Sequence, residues 1–177
     1  GVVGWKSVLL TESSFKGTLT GQNNTGGIVG YNNGGNIETS FSKGTITGGN
    51  NIGGIVGYVN GTFHTIDSYS LADITGGDSV GGIEGKDDYS SHYPEINTSY
   101  FAGSLQGQTK VGGVRGYSYR NRSNNSFWDV NEAGTQTSYG GTWKHTVDMA
   151  LKSTYTDATW DFTNITGIWK MPPQAGS

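Results

Sequence analysis

Residues that could do chemistry are most concentrated at 86–88, where a lysine precedes two aspartates. Glycoside-cleaving enzymes work with paired carboxylates, and Asp87 and Asp88 with Lys86 and Arg115 could supply acids and cations of that kind. Carboxylate oxygens also bind Ca²⁺, so Asp87 and Asp88 are the candidate ligands for this ion, the one cofactor that we consider, although no EF-hand spacing is present. The neighbouring parts of the chain supply no further charges in support of such a catalytic site. We therefore expect that the protein is not an enzyme. Among the three functions that we consider, a β-helix polysaccharide lyase or hydrolase ranks last.

Metal and nucleophile chemistry have less support. His64, His92 and His145 stand at no metal-ligand spacing, and the chain has no cysteine. The segment HTIDSYS (64–70) places a histidine, an aspartate and two serines together, but it has neither a nucleophile elbow nor an oxyanion hole. We predict no metal site on these histidines and no catalytic residue.

Four aromatic residues recur at one position of a repeated phrase, and they are Trp5, Tyr31, Tyr58 and Tyr117. Exposed rings in register can stack on sugar rings, while nearby Asn and Thr side chains supply hydrogen bonds. We predict that these residues form a flat binding strip for a glycan or a surface protein. Glycine precedes each of them, and it could instead turn the rings inward, where they would only cover turns.

An internal repeat positions these residues. The phrase NNTGGIVGY (23–31) returns as NNIGGIVGY (50–58), with weaker copies at GGIEGK (81–86) and GGVRGY (112–117). A serine–aromatic pair begins at residues 14, 40, 68, 99 and 126, so successive pairs are 26, 28, 31 and 27 residues apart. Each unit is too small to bury its own apolar face, so the units must stack.

Stacking predicts an all-β fold, a right-handed parallel β-solenoid of about four to five coils, in which equivalent residues lie about 4.8 Å apart along the axis. We expect three inward columns of equivalent residues: Val2, Ile28, Ile55, Ile83 and Val114; Leu19, Ile46, Ile74 and Leu105; and Phe15, Phe41, Tyr69, Tyr100 and Phe127. The doubled glycines at 26–27, 53–54, 81–82 and 112–113 should lie at corners. Period-2 alternation places a further column towards solvent, comprising Val3, Val29, Val56, Glu84 and Arg115. Glu84 and Arg115 should then form an exposed cross-strand ion pair.

The chain divides into residues 1–127, the solenoid repeats with an incomplete first coil, and residues 128–177, a C-terminal capping segment of the same structural domain. Thr146 can cap a short helix over 147–155, and the tryptophans of this segment should cover the end of the core. Nothing comparable protects the first coil. We therefore expect self-association through this uncapped N-terminal coil.

Composition excludes several classes of function. A formal charge of −3 with 14% charged residues provides no basic patch for nucleic acid. No apolar run approaches the roughly 18 residues of a membrane span, so we expect no membrane insertion. The lack of cysteine is compatible with an exported protein.

The segment GTITGGNNIGGIVGY (44–58) resembles the GLUG-motif repeat of bacterial and archaeal cell-surface proteins, and the resemblance extends over nearly the whole chain. The third and fourth copies depart from the pattern, with Glu84 and Arg115 in place of the usual aliphatic residue. The resemblance implies a β-solenoid without catalytic residues, found in adhesins or beside large secreted enzymes such as IgA-cleaving metallopeptidases. We thus expect a non-catalytic module for adhesion, spacing or assembly at the cell surface, with a carbohydrate-binding accessory module of a larger secreted enzyme as the alternative.

Overall fold

The computed structural model describes residues 1–88, 95–163 and 169. Within them the chain is a β-solenoid of about four turns, built from short strands that pair in parallel with equivalent strands of the next coil. The predicted fold class is confirmed. In the part of the chain that the structure describes, helical structure is restricted to three single turns after residue 129.

Each of the first three coils contributes one strand to each of four faces. The first coil contains β1 (Val3–Lys6), β2 (Leu10–Thr11), β3 (Ser14–Thr20) and β4 (Thr25–Gly26). The second contains β5 (Val29–Asn32), β6 (Ile37–Glu38), β7 (Phe41–Thr47) and β8 (Ile52–Gly53). The third contains β9 (Val56–Val59), β10 (His64–Ile66), β11 (Tyr69–Thr75) and β12 (Asp78–Gly81).

In the fourth coil the third face is split in two. This coil contains β13 (Glu84–Asp87), β14 (Glu95–Asn97), β15 (Tyr100–Phe101), β16 (Leu105–Gln106) and β17 (Thr109–Gly112). The last, partial coil contains β18 (Arg115–Ser118), β19 (Ser123–Asn124) and β20 (Phe127–Asp129). The C-terminal segment adds α1 (Val130–Ala133), β21 (Thr142–Lys144), α2 (Thr146–Met149) and α3 (Lys152–Thr156).

The four sheets are named here in chain order. Sheet A has the order β1-β5-β9-β13-β18, and sheet B the order β2-β6-β10-β14-β19. Sheet C has the order β3-β7-β11-β15-β20-β21, with β16 also paired to β11, and sheet D the order β4-β8-β12-β17. The sheets enclose one apolar core.

Two of the predicted inward columns are confirmed. Ile28, Ile55, Ile83 and Val114 are all fully buried. The pairing of β3, β7, β11 and β16 places Leu19, Ile46, Ile74 and Leu105 in one register, with the middle pair fully buried. Val2 donates its backbone N–H to the carbonyl of Ile28 at 3.0 Å, but its side chain is 48% exposed.

The doubled glycines are required by close approach between coils. A Cβ on Gly53 would lie 2.0 Å from the carbonyl oxygen of Val56 in the same corner. A Cβ on Gly54 would lie 2.1 Å from the carbonyl oxygen of Gly82 in the next coil and 2.3 Å from the hydroxyl of Ser70. Any larger residue would separate the coils, so the repeated GG phrase marks the corner that leads into sheet A, as predicted.

The recurring serines form a ladder along the corner before sheet C. The hydroxyls of Ser40, Ser68 and Ser99 each donate to the carbonyl two residues earlier at 2.8 Å. Each hydroxyl also accepts the backbone N–H of the equivalent serine in the preceding coil at 3.1–3.2 Å. The first member of the ladder is Ser13, whose N–H donates to Ser40. The first coil is therefore shifted by one residue from the predicted alignment, and Ser14, not Phe15, pairs with Phe41.

The third predicted inward column was wrong, because its aromatic residues lie on the outside of sheet C. Phe41, Tyr69, Tyr100 and Phe127 are in register, but the buried positions belong to the residues that follow them: Ser42, Ser70, Phe101 and Trp128. Those inward residues pack directly against the second glycine of each corner. Phe15 packs against the core because of the shift in the first coil.

The C-terminal segment closes the solenoid end and also covers one side. Residues 135–139 close the last coil: Thr137 accepts the N–H of Gly113 at 2.9 Å, and the Ser138 hydroxyl accepts that of Val114 at 3.0 Å. Tyr155, Trp160 and Trp169 then pack against the outer aromatic residues of sheet C. The helix predicted over 147–155 is interrupted between α2 and α3, and the Thr146 hydroxyl donates to Asp129 at 3.0 Å instead of capping a helix.

Candidate functional site

The four aromatic residues singled out in the sequence lie in one column on the outside of sheet A. Strand pairing aligns Trp5 with Tyr31, Tyr31 with Tyr58, and, through Lys86 in the fourth coil, Tyr58 with Tyr117. Trp5 is 59% exposed, and the three tyrosines are partly exposed. We call these four residues the aromatic column. The preceding glycines do not turn the rings into the core.

Tyr31 and Tyr58, which are adjacent in the aromatic column, are tilted against each other and do not lie flat. The ring centroids of Tyr31 and Tyr58 are 5.2 Å apart, and their planes are inclined at 38°. Rings held at the spacing of adjacent strands are too close to lie side by side in one plane. The column presents ring edges, part of each ring face and the phenol groups.

Polar groups flank the tyrosines on the same surface. The Asn60 amide donates to the Tyr31 hydroxyl at 3.0 Å, and the Tyr58 hydroxyl donates to the Asp88 carboxylate at 3.5 Å. Burial raises the pKa of Tyr58, and the nearby Asp88 carboxylate raises it further. Tyr58 is therefore a neutral hydrogen-bonding group at ordinary pH.

Two lysines surround the C-terminal end of the column. The Lys86 ammonium lies 5.8 Å from the ring centroids of both Tyr58 and Tyr117. The Lys110 ammonium, from sheet D, lies 4.8 Å from the Tyr117 centroid. Tyr139 of the closing segment packs against the same ring at 5.3 Å. Two lysine–aspartate pairs, Lys86–Asp88 and Lys110–Asp78, thus lie beside Tyr58 and Tyr117 at this end of the column.

The structure does not bring Asp87 and Asp88 together as Ca²⁺ ligands, because the sheet separates them. Asp87 is fully buried and accepts a hydrogen bond from Ser118 at 2.9 Å, whereas Asp88 lies outside and pairs with Lys86 at 3.1 Å. The same separation disperses the proposed catalytic set, since Arg115 is fully buried as well. Among the residues that the structure describes, no three His, Cys, Asp or Glu side chains come together as a metal site would require.

The Glu84–Arg115 pair forms as predicted, but inside the solenoid. The two residues are paired on adjacent strands, and Arg115 reaches Glu84 Oε2 with Nε at 2.8 Å and Nη2 at 2.7 Å. Both side chains are completely buried. The prediction of a solvent-facing column was wrong, because the chain turns between Ile28 and Val29 and at equivalent points of later coils. Alternation does not continue across such a corner, so both residues of each pair face inward.

Glu84, Asp87 and Arg115 together form a buried charge cluster that sequence reasoning missed. Glu84 also accepts a hydrogen bond from Thr65 at 2.8 Å, and Arg115 Nη1 lies 3.9 Å from Asp87. Burial raises the pKa of Glu84, while the Arg115 charge and the Thr65 hydroxyl oppose that rise. A detectable signal existed, since Glu84 and Asp87 align with Val56 and Val59 in the preceding coil.

A second buried charge lies in the first coil. The Lys6 ammonium donates to the carbonyls of Val8 at 2.7 Å and Gly35 at 2.6 Å, and also reaches those of Gly34 and Asn36. Burial lowers the pKa of Lys6 to about 8. This ammonium joins the corners of the first two coils, so its role is structural.

The histidines form no catalytic arrangement. His64 lies on sheet B beside Glu95, with Nδ1 4.0 Å from the carboxylate, while Ser68 belongs to the buried serine ladder. His145 contacts Asn131 at 3.1 Å. His92 lies outside the described residues.

Comparison with known proteins gives one relative and no family. No known family profile matches the chain, and no solved structure matches it. A protein of Evansella cellulosilytica, named "Putative Gly-rich membrane protein", is 38% identical over 80 residues, which cover 42% of this chain. The chain spans 9% of that relative's length. Among the described residues, no helix has the length and apolar character needed to cross a bilayer.

Proposed function

We propose that this chain is a non-catalytic extracellular module of a cell-surface protein, which adheres to an extended polysaccharide through the aromatic column. The observation that carries this proposal is the register of Trp5, Tyr31, Tyr58 and Tyr117 along the outside of sheet A. From Trp5 to Tyr117 the column spans about 19 Å, which is four steps of about 4.8 Å. A surface of this length fits several consecutive residues of a linear chain.

The chemistry of the column suits sugars. Aromatic rings contact the apolar faces of sugar rings, and hydrogen-bonding groups beside them bind the hydroxyls. Trp5 offers the most exposed ring, and the Tyr31 and Tyr58 phenols with the Asn60 amide offer donors and acceptors. These side chains project from hydrogen-bonded strands, so little conformational entropy is lost when a ligand binds.

Two observations support adhesion over catalysis at a cell surface. The only carboxylate pair that suggested glycoside cleavage is divided between the core and the outside of sheet A. The matched relative carries the name of a membrane protein, which favours a place at the cell surface. The resemblance to the GLUG-motif repeat agrees with this reading and stays a prediction.

The experiment compares Y31A/Y58A with Y119A in affinity electrophoresis through gels that contain dissolved polysaccharides. Tyr119 is 62% exposed but lies outside the column, so Y119A is the matched control. Loss of two stacking rings should weaken binding about fivefold or more, since aromatic contacts of this type contribute about 0.5–1.5 kcal/mol each beyond their buried area. Equal retardation of Y31A/Y58A and wild type, with unchanged melting temperatures, would exclude the column as the binding surface.

A further inference from the structure

The aromatic column changes character along its length. In the fourth coil the aromatic residue is replaced by Lys86, whose ammonium lies at equal distances of 5.8 Å from the rings on either side. Lys110 brings a second ammonium to within 4.8 Å of the Tyr117 ring centroid. Two cations from different sheets therefore converge on one partly exposed ring.

Both ammonium groups keep the capacity to bind a further anion. Each has three N–H donors, and the carboxylates of Asp88 and Asp78 lie 3.1 Å and 3.3 Å away, respectively. The side chains of Asp88 and Asp78 are 40% and 36% exposed, so both ion pairs lie at the surface, where such pairs contribute little free energy. An incoming anion can share or replace these contacts at small cost.

We propose that the C-terminal half of the column, around Tyr117, binds the anionic group of an acidic polysaccharide, with Lys86 and Lys110 as the contacting cations. This inference rests on the proposed function and names its ligand class. Trp5, Tyr31 and Tyr58 bind sugar rings by stacking, and the two lysines select chains that carry a carboxylate or a sulfate. The protein has a net charge of −3, so long-range attraction does not explain such a preference.

The experiment is affinity electrophoresis with three polymers: alginate as the polyuronate, dextran sulfate as the sulfated chain and hydroxyethylcellulose as the neutral chain. The test variant is K86Q/K110Q. The control is K16Q/K43Q, which removes two positive charges from exposed positions on sheet C and so changes the net charge equally. Melting temperatures verify that all variants are folded.

At low salt, wild type should bind the better of the two acidic polymers roughly tenfold more tightly than the neutral polymer. K86Q/K110Q should abolish this difference, and K16Q/K43Q should retain it. A salt concentration of about 1 M should also remove it, since screening is nearly complete there. Comparison of alginate with dextran sulfate identifies carboxylate or sulfate as the bound group.

Equal affinity for neutral and acidic polymers, or equal losses in the two double variants, would overturn the inference. If the acidic preference is absent but wild type still binds the neutral polymer and Y31A/Y58A does not, the proposed function stands and only this inference fails. Failure of wild type to bind any of the three polymers would overturn both proposals.

Discussion

Replacing Arg115 by a neutral residue should show how strongly the stability of the fold depends on an intact buried charge cluster. The change Arg115→Met keeps most of the side-chain volume but removes the contacts to Glu84 at 2.7 and 2.8 Å and the charge near Asp87. Glu84 and Asp87 are fully buried, so neither carboxylate can turn to water. Breaking a buried ion pair by removing one partner costs about 3–5 kcal/mol. For a chain of this size that corresponds to a fall in melting temperature of roughly 6–20 °C.

The compensating variant removes the whole cluster. In E84V/D87V/R115M, strand β13 carries valine where β9 already carries Val56 and Val59 in the same core columns. Replacing a complete buried ion pair by apolar residues is often neutral or stabilising, while the hydroxyls of Thr65 and Ser118 lose a carboxylate acceptor at about 1 kcal/mol each. The triple variant should therefore be more stable than R115M by at least about 1 kcal/mol.

The assay is urea unfolding monitored by tryptophan fluorescence, with R115M, E84V/D87V and the triple variant compared to wild type. The free energies should be strongly non-additive, because each partial variant leaves an unpaired charge. A loss below about 1 kcal/mol for R115M would refute the reasoning, as would a triple variant no more stable than R115M.

Three further predictions concern other parts of the solenoid. Gly54→Ala should cost about 3 kcal/mol in the free energy of unfolding, because its Cβ would lie 2.1 Å from the next coil's backbone; full stability in thermal unfolding would contradict the close approach. Thr39→Asn should stabilise the fold by about 1 kcal/mol, because exposed Thr39 has a left-handed backbone conformation, with φ of 51°, that Asn tolerates. A lower melting temperature for this variant would contradict the prediction. Above pH 8 the folded chain releases the Lys6 proton, while the unfolded chain holds it to about pH 10.4. The free energy of unfolding should therefore rise by up to about 1.4 kcal/mol per pH unit in this range. Urea titrations between pH 8 and 9.5, below the range where tyrosines such as Tyr155 ionise in the unfolded chain, should show this rise in wild type and not in K6M; equal slopes would contradict it.

The repeat made the coil stacking and the register of sheet A predictable. Equivalent phrases such as NNTGGIVGY and NNIGGIVGY can only bury their isoleucines by lying one above the other, and Ile28 and Ile55 do so. The glycine corners followed from the same phrase. The column of Trp5, Tyr31 and Tyr58 then followed by counting three residues from each isoleucine position.

The side on which residues lie beyond a corner was not predictable from alternation alone. A corner resets the period of two, so Val29 and Val56 lie inside although they adjoin inward residues. On sheet C the large Tyr69 was taken for core, but the residue that follows each aromatic residue, Ser70 in this coil and Phe101 in the next, lies inward against the corner glycine. The inward side is therefore set by the backbone register and not by the size of the residue.

The buried charges were missed for a related reason. Charged residues belong on the surface unless paired, so Glu84 and Arg115 were assigned to an outer column. Opposite charges at equivalent positions of successive repeats, in a column otherwise filled by valine, are the signal that a buried pair leaves in a sequence. The position of Lys110 beside Tyr117 had no such signal, because the two residues belong to different sheets.

The central claim is that a polysaccharide binds along the aromatic column, and NMR spectra of the aromatic side chains during titration with that polymer test it most directly. Saturation transfer from the bound sugar protons should reach the rings of Trp5, Tyr31, Tyr58 and Tyr117, while exposed Tyr119 should receive none. Transfer to Tyr119 or Trp143 without transfer to Tyr31 and Tyr58 would contradict the account.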